Sequence, residues 1–155
     1  MKKLLVVIAL AAILATGTAF ADFGIGVHGG YGGIGGGGGL NLAFSDLYIY
    51  VDSVFAGGNG LHISGAVDFL SLLNSAIITN LNWYIRVGIG ASLWGLDDTI
   101  GLAAGVRVPI GLSWRPIPLI EIFLQALPQI SLQVLPEINL WSNFFGANLG
   151  IRFWF

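Results

Sequence analysis

Residues 81–93 alternate without a break, and this alternation narrows the choice of fold more than any other feature of the chain. Leu81, Trp83, Ile85, Val87, Ile89, Ala91 and Leu93 fall on one face, with Asn82, Tyr84, Arg86, Gly88, Gly90 and Ser92 on the other. A period of two belongs to a strand, whose successive side chains point to opposite sides. The pattern repeats from Ile100 to Trp114, where Ile100, Leu102, Ala104, Val106, Val108, Ile110, Leu112 and Trp114 alternate with glycine, alanine, Arg107, Pro109 and Ser113. It returns in the last segment, with Phe145, Ala147, Leu149, Ile151, Phe153 and Phe155 set against Gly146, Asn148, Gly150, Arg152 and Trp154. These runs exceed the ~5–6 residues of ordinary strands and reach the ~9–11 that a tilted strand needs to cross a bilayer.

A helical membrane protein would account for a mean hydropathy of +0.85, but it needs about 20 mostly apolar residues in a row. Beyond residue 21, glycine, proline, asparagine or a charge interrupts every apolar run. A soluble barrel or sandwich would carry Lys, Glu, Thr and Ser on its solvent face. Here the polar face is mostly glycine, and charged residues make up 9% of the chain, against about 25% in soluble domains. The expected fold is therefore all-β, an antiparallel up-and-down transmembrane β-barrel of eight strands.

The N-terminus reads as a secretory signal peptide over residues 1–21. Lys2 and Lys3 precede the apolar run Leu4 to Leu14, and Ala19-Phe20-Ala21 is an A-x-A cleavage site. Residues 22–155 then form the barrel. They hold four arginines against eight acids, a formal charge of −4, with no basic patch to engage nucleic acid. The chain has no cysteine, which excludes disulfides, thiolate metal sites and a lipidated N-terminal cysteine.

Parity sorts the charges. Asp52, Asp68 and Glu121 fall on the non-apolar face of their strands, and so do Arg86, Arg107 and Arg152. Slipping the register would put three arginines into lipid at about 2–4 kcal/mol each near the midplane. Buried charges need partners, so these six residues are expected to form a mutually neutralising network in the lumen, with pairings that the sequence leaves open. The inward glycines would make room for long arginine and aromatic side chains. An eight-stranded interior is just wide enough to be filled by its own side chains, which argues against a wide pore.

The strands are expected at about 23–31, 40–54, 60–71, 81–94, 99–114, 118–127, 129–141 and 144–155. Ser45-Asp46 is a point where the second strand could divide. Even-position apolar residues continue through Pro128 and Pro136, and we read a hairpin there because one long strand would break the even count. This arrangement makes Leu96-Asp97-Asp98 a turn on the side of the termini. The opposite connections are then the glycine run at 32–39, residues 72–80, Arg115-Pro116-Ile117-Pro118 and Ser142-Asn143. Trp83, Trp94, Trp114 and Trp141 fall near strand ends, where aromatic girdles form, and Trp154 reads inward.

The C-terminal stretch Leu149-Gly150-Ile151-Arg152-Phe153-Trp154-Phe155 resembles the C-terminal signature of bacterial outer-membrane barrels. That resemblance implies that Phe153 and Phe155 act as an assembly signal read by the barrel-assembly machinery. The layout as a whole resembles the small OmpA/OmpX/OmpW-like barrels. Ile120-Glu121-Ile122-Phe123, Pro128 and the ending Gly150-Ile151-Arg152-Phe153-Trp154-Phe155 look most like small barrels of spirochaetes. The resemblance implies location in the outer membrane with lipid as the surrounding partner. The missing long surface loops argue against an adhesin.

Three motifs carry possible chemistry. Gly24-Ile25-Gly26-Val27-His28-Gly29 fits G-x-G-x-x-G but lacks the strand before it and the helix after it that nucleotide binding needs. His28 and His62 lack the further ligands of a metal site. His62-Ile63-Ser64, with Asp68 further along the same face, could support acyl chemistry and is similar to the His-x-Ser of outer-membrane lipid A deacylases. The sequence favours a non-enzymatic structural or interaction role without a cofactor. A narrow pore is the alternative, and a lipid-modifying enzyme the more distant one.

Overall fold

The computed structural model describes residues 22–32, 37–56, 60–96 and 99–155. The expected signal peptide at 1–21 and the pair Asp97-Asp98 lie outside the described residues. Nine strand segments form one antiparallel sheet: β1 (Phe23–Tyr31), β2 (Gly38–Phe44), β3 (Leu47–Ala56), β4 (Gly60–Ile78), β5 (Leu81–Leu96), β6 (Thr99–Arg107), β7 (Ile110–Ile117), β8 (Ile120–Leu135) and β9 (Asn139–Trp154). Each segment pairs with its neighbours, and β1 pairs with β9, so the sheet closes on itself. The closure is sealed at the chain ends, where Phe155 N donates to Phe23 O at 2.8 Å.

Segments β6 and β7 lie end to end between β5 and β8. They are a single stave interrupted at Val108-Pro109, where proline cannot donate to the ladder. Two backbone bonds of 2.9 Å span the break, from Arg86 N to Pro109 O and from Val108 N to Pro128 O. The facing of the side chains carries straight across it: Arg107 and Ser113 are buried, while Val106 and Ile110 are exposed. The barrel therefore has eight staves, as the alternation implies.

Their division along the chain differs from expectation in two places. The stretch 40–54 is two strands, joined by a tight turn at Ser45-Asp46 with Ser45 at φ 54°. The buried positions change from odd (Asn41, Ala43) to even (Tyr48, Tyr50, Asp52) across that turn, so one continuous strand would have put one of the two sets into lipid. The stretch 118–141 does not fold back at Pro128; the chain turns after Leu135. Its first part belongs to one long strand, β8, that runs through Pro128. The β8–β9 register skips between Leu127 and Gln129, and a proline is tolerated at such a bulge.

The two differences cancel in the count but not in direction. The turn at Ser45-Asp46 reverses every strand from β3 until β8, by running on through Pro128, restores the sense. The end that holds the termini carries the two-residue turns at 45–46, 79–80 and 118–119. Residues 72–80 and Arg115–Pro118 thus finish strands at that end rather than the far one. Leu96, expected there, closes β5 at the far end, and Ser142 and Asn143 lie inside β9. Of the four connections expected at the far end, only the link from β1 to β2 keeps its end, as Tyr31 and Gly38 show; its residues 33–36 lie outside the described residues.

Outside, the barrel presents a continuous apolar belt of half-exposed side chains that includes Val27, Leu40, Val51, Ile89, Val106 and Ile130. Among the described residues, no Asp, Glu, Lys or Arg points outward between the two rims. Trp83 and Trp114 are exposed near the termini end. Phe23 there stacks on Phe155 with ring centroids 6.3 Å apart and tilts against Phe44 at 5.0 Å. Trp94 does not join such a girdle. It sits on the inner face, edge-on to His62 at 6.2 Å and over Gly101.

The long β8 gives a direct test. Leu132 opposes Leu140 across β8–β9, whereas Leu124 and Leu132 share one strand and stand about 26 Å apart at ~3.3 Å per residue. The double substitution Leu132→Cys with Leu140→Cys is expected to crosslink on oxidation of the folded barrel, and Leu124→Cys with Leu132→Cys is not. A hairpin about Pro128 would reverse this outcome, which electrophoresis without reductant would reveal.

Candidate functional site

The inner wall is where this barrel concentrates its chemistry. Asp52, Asp68, Arg86, Arg107, Glu121 and Arg152 all lie on it and all are buried. Arg107, about 1% exposed, donates from Nε to Asp68 Oδ1 at 2.7 Å and from Nη2 to Asp68 Oδ2 at 2.9 Å. This two-pronged contact is the strongest geometry open to a guanidinium and a carboxylate. Arg152 donates from Nη1 to Glu121 Oε2 at 2.8 Å and from Nε to Asn41 Oδ1 at 2.8 Å. Glu121 also accepts from Ser113 Oγ at 2.6 Å and from Trp154 Nε1 at 2.7 Å.

Asp52 takes a different partner from any of the three arginines. His28 donates from Nε2 to Asp52 Oδ1, and Ser64 Oγ donates to Asp52 Oδ2 at 3.4 Å. The other ring nitrogen, Nδ1, lies 3.5 Å from Asn41 Nδ2. Asn41 therefore joins two charge clusters, one at His28 and Asp52, the other at Arg152 and Glu121. Aromatic rings fill the space between. The Arg107 guanidinium lies 4.5 Å from the Tyr50 ring centroid, and that of Arg152 lies 4.8 Å from Phe123 and 4.9 Å from Tyr48.

One rule governs the contacts that reach past a neighbouring strand. His28 stands opposite Gly39 on β2, and Gly39 stands opposite Asp52 on β3. Arg107 stands opposite Gly88 on β5, and Gly88 opposite Asp68 on β4. Arg152 reaches Asn41 over Gly26. Tyr84, whose hydroxyl donates to Gln125 Oε1 at 2.9 Å, reaches it over Gly111. Each contact skips one strand, and each skipped position is an inward glycine. A Cβ at Gly111 would come within 2.6 Å of the Tyr84 hydroxyl, and one at Gly88 would overlap Asp68 Oδ1.

The enzyme-like residues are arranged differently from a catalytic triad. His62 and Ser64 share the inner face, but Asp68 is engaged by Arg107 and, among the described residues, the buried His62 Nε2 has no hydrogen-bond partner. Gly24 to Gly29 lie within β1, and among the described residues the next element is the strand β2, not a helix. Among the described residues, no group of three His, Cys, Asp or Glu side chains could hold a metal. The sequence reading did not assign His28, Asn41, Ser113 or Trp154 to the charge clusters. Their inward parity was visible, but the partners of His28 and Asn41 lie two strands away and those of Ser113 and Trp154 on the adjacent β8, and only the register reveals them. Arg115, expected in a turn, lies in β7, and its side chain, 41% exposed, sits inside the rim, 3.9 Å from Glu121 and over the Trp154 ring at 4.2 Å.

The glycine rule is testable at Gly88. Gly88→Ala is expected to push Asp68 off Arg107 and to cost about 3–5 kcal/mol, the usual penalty for breaking a buried ion pair. Gly29→Ala, where an added Cβ meets nothing within 4 Å, is expected to change stability by less than about 0.5 kcal/mol. Urea unfolding of the two variants in lipid, followed by tryptophan fluorescence, checks both.

No protein-family model matches the chain, and no curated protein does. Among solved structures it is similar to the N-terminal β-barrel domain of Pseudomonas aeruginosa OprF. The TM-score is 0.52 at 15% sequence identity, covering 86% of this chain and 97% of that one. It is also similar to Neisserial surface protein A, with a TM-score of 0.42 at 15% identity, covering 86% of this chain and 95% of that one. Neither similarity lends support to the spirochaete resemblance. The OprF likeness, together with the closed ring of eight antiparallel staves, makes the fold that of the small outer-membrane β-barrels.

Proposed function

We propose that this chain is an integral outer-membrane β-barrel protein, without catalytic activity, whose role is structural or interaction-mediating. The observation that carries the reading is the contrast between the two faces of one sheet. The outer face is an uninterrupted apolar belt, which suits lipid and not water. The inner face holds the charges, and its carboxylates are matched to arginine or histidine partners within the lumen. On this reading residues 1–21 are a signal peptide that exports the chain, and residues 22–155 are the mature barrel. Outer-membrane lipid surrounds it. The exposed Phe153 and Phe155, at the end where the barrel closes, are the signal read by the barrel-assembly machinery. No cofactor is needed.

The filled lumen supports a structural role over a conducting one. Arg107, Arg152, Tyr50, Tyr84, Phe123 and Gln125 are all fully buried within the ring, and bulky interlocked side chains leave little space for solute in eight staves. Asp68 is already committed to Arg107, and Asp52, which Ser64 reaches, is engaged by His28 and not by His62, so the His62–Ser64 pair is not completed as a triad.

The refolded chain is expected to run as a compact band that shifts on boiling, and only when detergent or lipid is present. In planar bilayers it is expected to give no steady unit conductance. A stable conductance that changes in Arg107→Gln would move the reading to a narrow pore. Solubility in plain buffer with no heat shift would overturn the membrane assignment. On the lipid face, Val106→Arg is expected to cost about 2–4 kcal/mol in bilayers, measured by urea titration.

A further inference from the structure

Arg86 is the exception among the buried charges. It is 4% exposed, and among the described residues it has no carboxylate partner. Its guanidinium is instead clamped between two rings, 3.5 Å from the Tyr48 centroid and 3.8 Å from that of Tyr84. Such stacking stabilises the charge through the ring faces. It leaves the N–H donors, which lie in the guanidinium plane, to find partners at the edge.

That edge borders a polar cavity of about 170 Å³ at the termini end of the lumen, walled by Arg86, Arg115, Glu121, Asn74, Asn82 and Ser113. The single carboxylate in this wall is not free to neutralise Arg86. Both oxygens of Glu121 already accept, from Arg152 and Trp154 on one side and Ser113 on the other. With the Glu121–Arg152 pair neutral as a unit, Arg86 and Arg115 leave the cavity with two positive charges. Amide and hydroxyl groups line the remainder, and the volume exceeds what one water requires. An uncompensated buried charge is costly, and an arginine fork is shaped for an oxyanion.

We propose that this cavity is a binding site for a small oxyanion, free in the aqueous space at the termini end, with Arg86 as its fixed donor and Arg115 as a mobile one at the mouth. Tyr48 and Tyr84 hold the Arg86 guanidinium edge-on to the ligand, so the donor is oriented before the anion arrives. Asn74 and Asn82, from the β4–β5 hairpin on the same side of the barrel as Arg86, line the cavity beside it with further amide donors. The inference rests on the barrel interior and not on which membrane surrounds it.

The test is a titration of the chain refolded in nonionic detergent with inorganic phosphate, at ionic strength held constant with chloride, read by calorimetry and tryptophan fluorescence. Saturable binding of one phosphate is expected. Arg86→Gln should weaken it by about tenfold or more, the effect of losing a charge-assisted contact, and Arg115→Gln should weaken it less. Should Arg86→Gln fail to give the heat-shifted band, Arg86→Lys, which keeps the charge and loses the fork, takes its place with a smaller loss expected. The proposal is overturned by a response that does not saturate, by one that chloride reproduces, or by unchanged affinity in both the Arg86 and Arg115 variants.

Discussion

The structure depends on contacts that pass over an empty position. In a ring of eight staves, adjacent inward side chains crowd one another, and a long side chain can reach a partner two staves away only where the strand between offers no Cβ. Gly39, Gly88, Gly26 and Gly111 supply those openings under His28–Asp52, Arg107–Asp68, Arg152–Asn41 and Tyr84–Gln125. The abundance of glycine thus has a steric cause. These residues are not loose points in the strands. They are the spaces into which arginine, histidine and tyrosine fold, and the aromatic rings take up what is left.

The same contacts fix the register. A one-residue slip of any strand would turn its inner face to lipid. A two-residue slip would keep the facing but carry the glycine away from the pair that crosses it, leaving buried charges separated by side chains. The wall therefore discriminates against both errors, whereas the outer belt of Val, Ile and Leu discriminates only against the first. That division explains how a sheet with so uniform an exterior can adopt one pairing. The specificity sits in the lumen, where an unpaired charge costs several kcal/mol, and not on the outside, where one aliphatic residue serves about as well as another.

The facing of most strands was legible in the sequence because lipid and lumen impose opposite demands at successive residues. Arg86, Arg107, Arg152, Asp52, Asp68 and Glu121 fall inward by parity alone. The turn at Ser45-Asp46 was harder to read, since two residues without glycine or proline make a weak turn signal, and the change from odd to even inward positions was its only firm mark. Pro128 misled in the opposite way: a strong breaker sits in mid-strand because a bulge absorbs it. The pairings were not legible, because His28 and Asp52 meet through a register that spans three strands. Trp94 was read as part of a girdle although its even position in β5 already put it inside.

The two ends of the barrel are built on different terms. Three two-residue turns close the end that holds the termini, so its surface is mostly the rim of the staves and the cavity they enclose. There the wall carries Arg86 held between two tyrosines, and Glu121 saturated by other donors. At the centre, Arg107 and Asp68 satisfy each other and need nothing from solution. A barrel whose charges were all matched in this way would be an inert plug. Leaving one stacked guanidinium unmatched near an open rim keeps a reactive point on a rigid scaffold, because the stacking that tolerates the charge also fixes its direction. Rigidity and incomplete compensation together are what a binding site in so narrow a lumen requires.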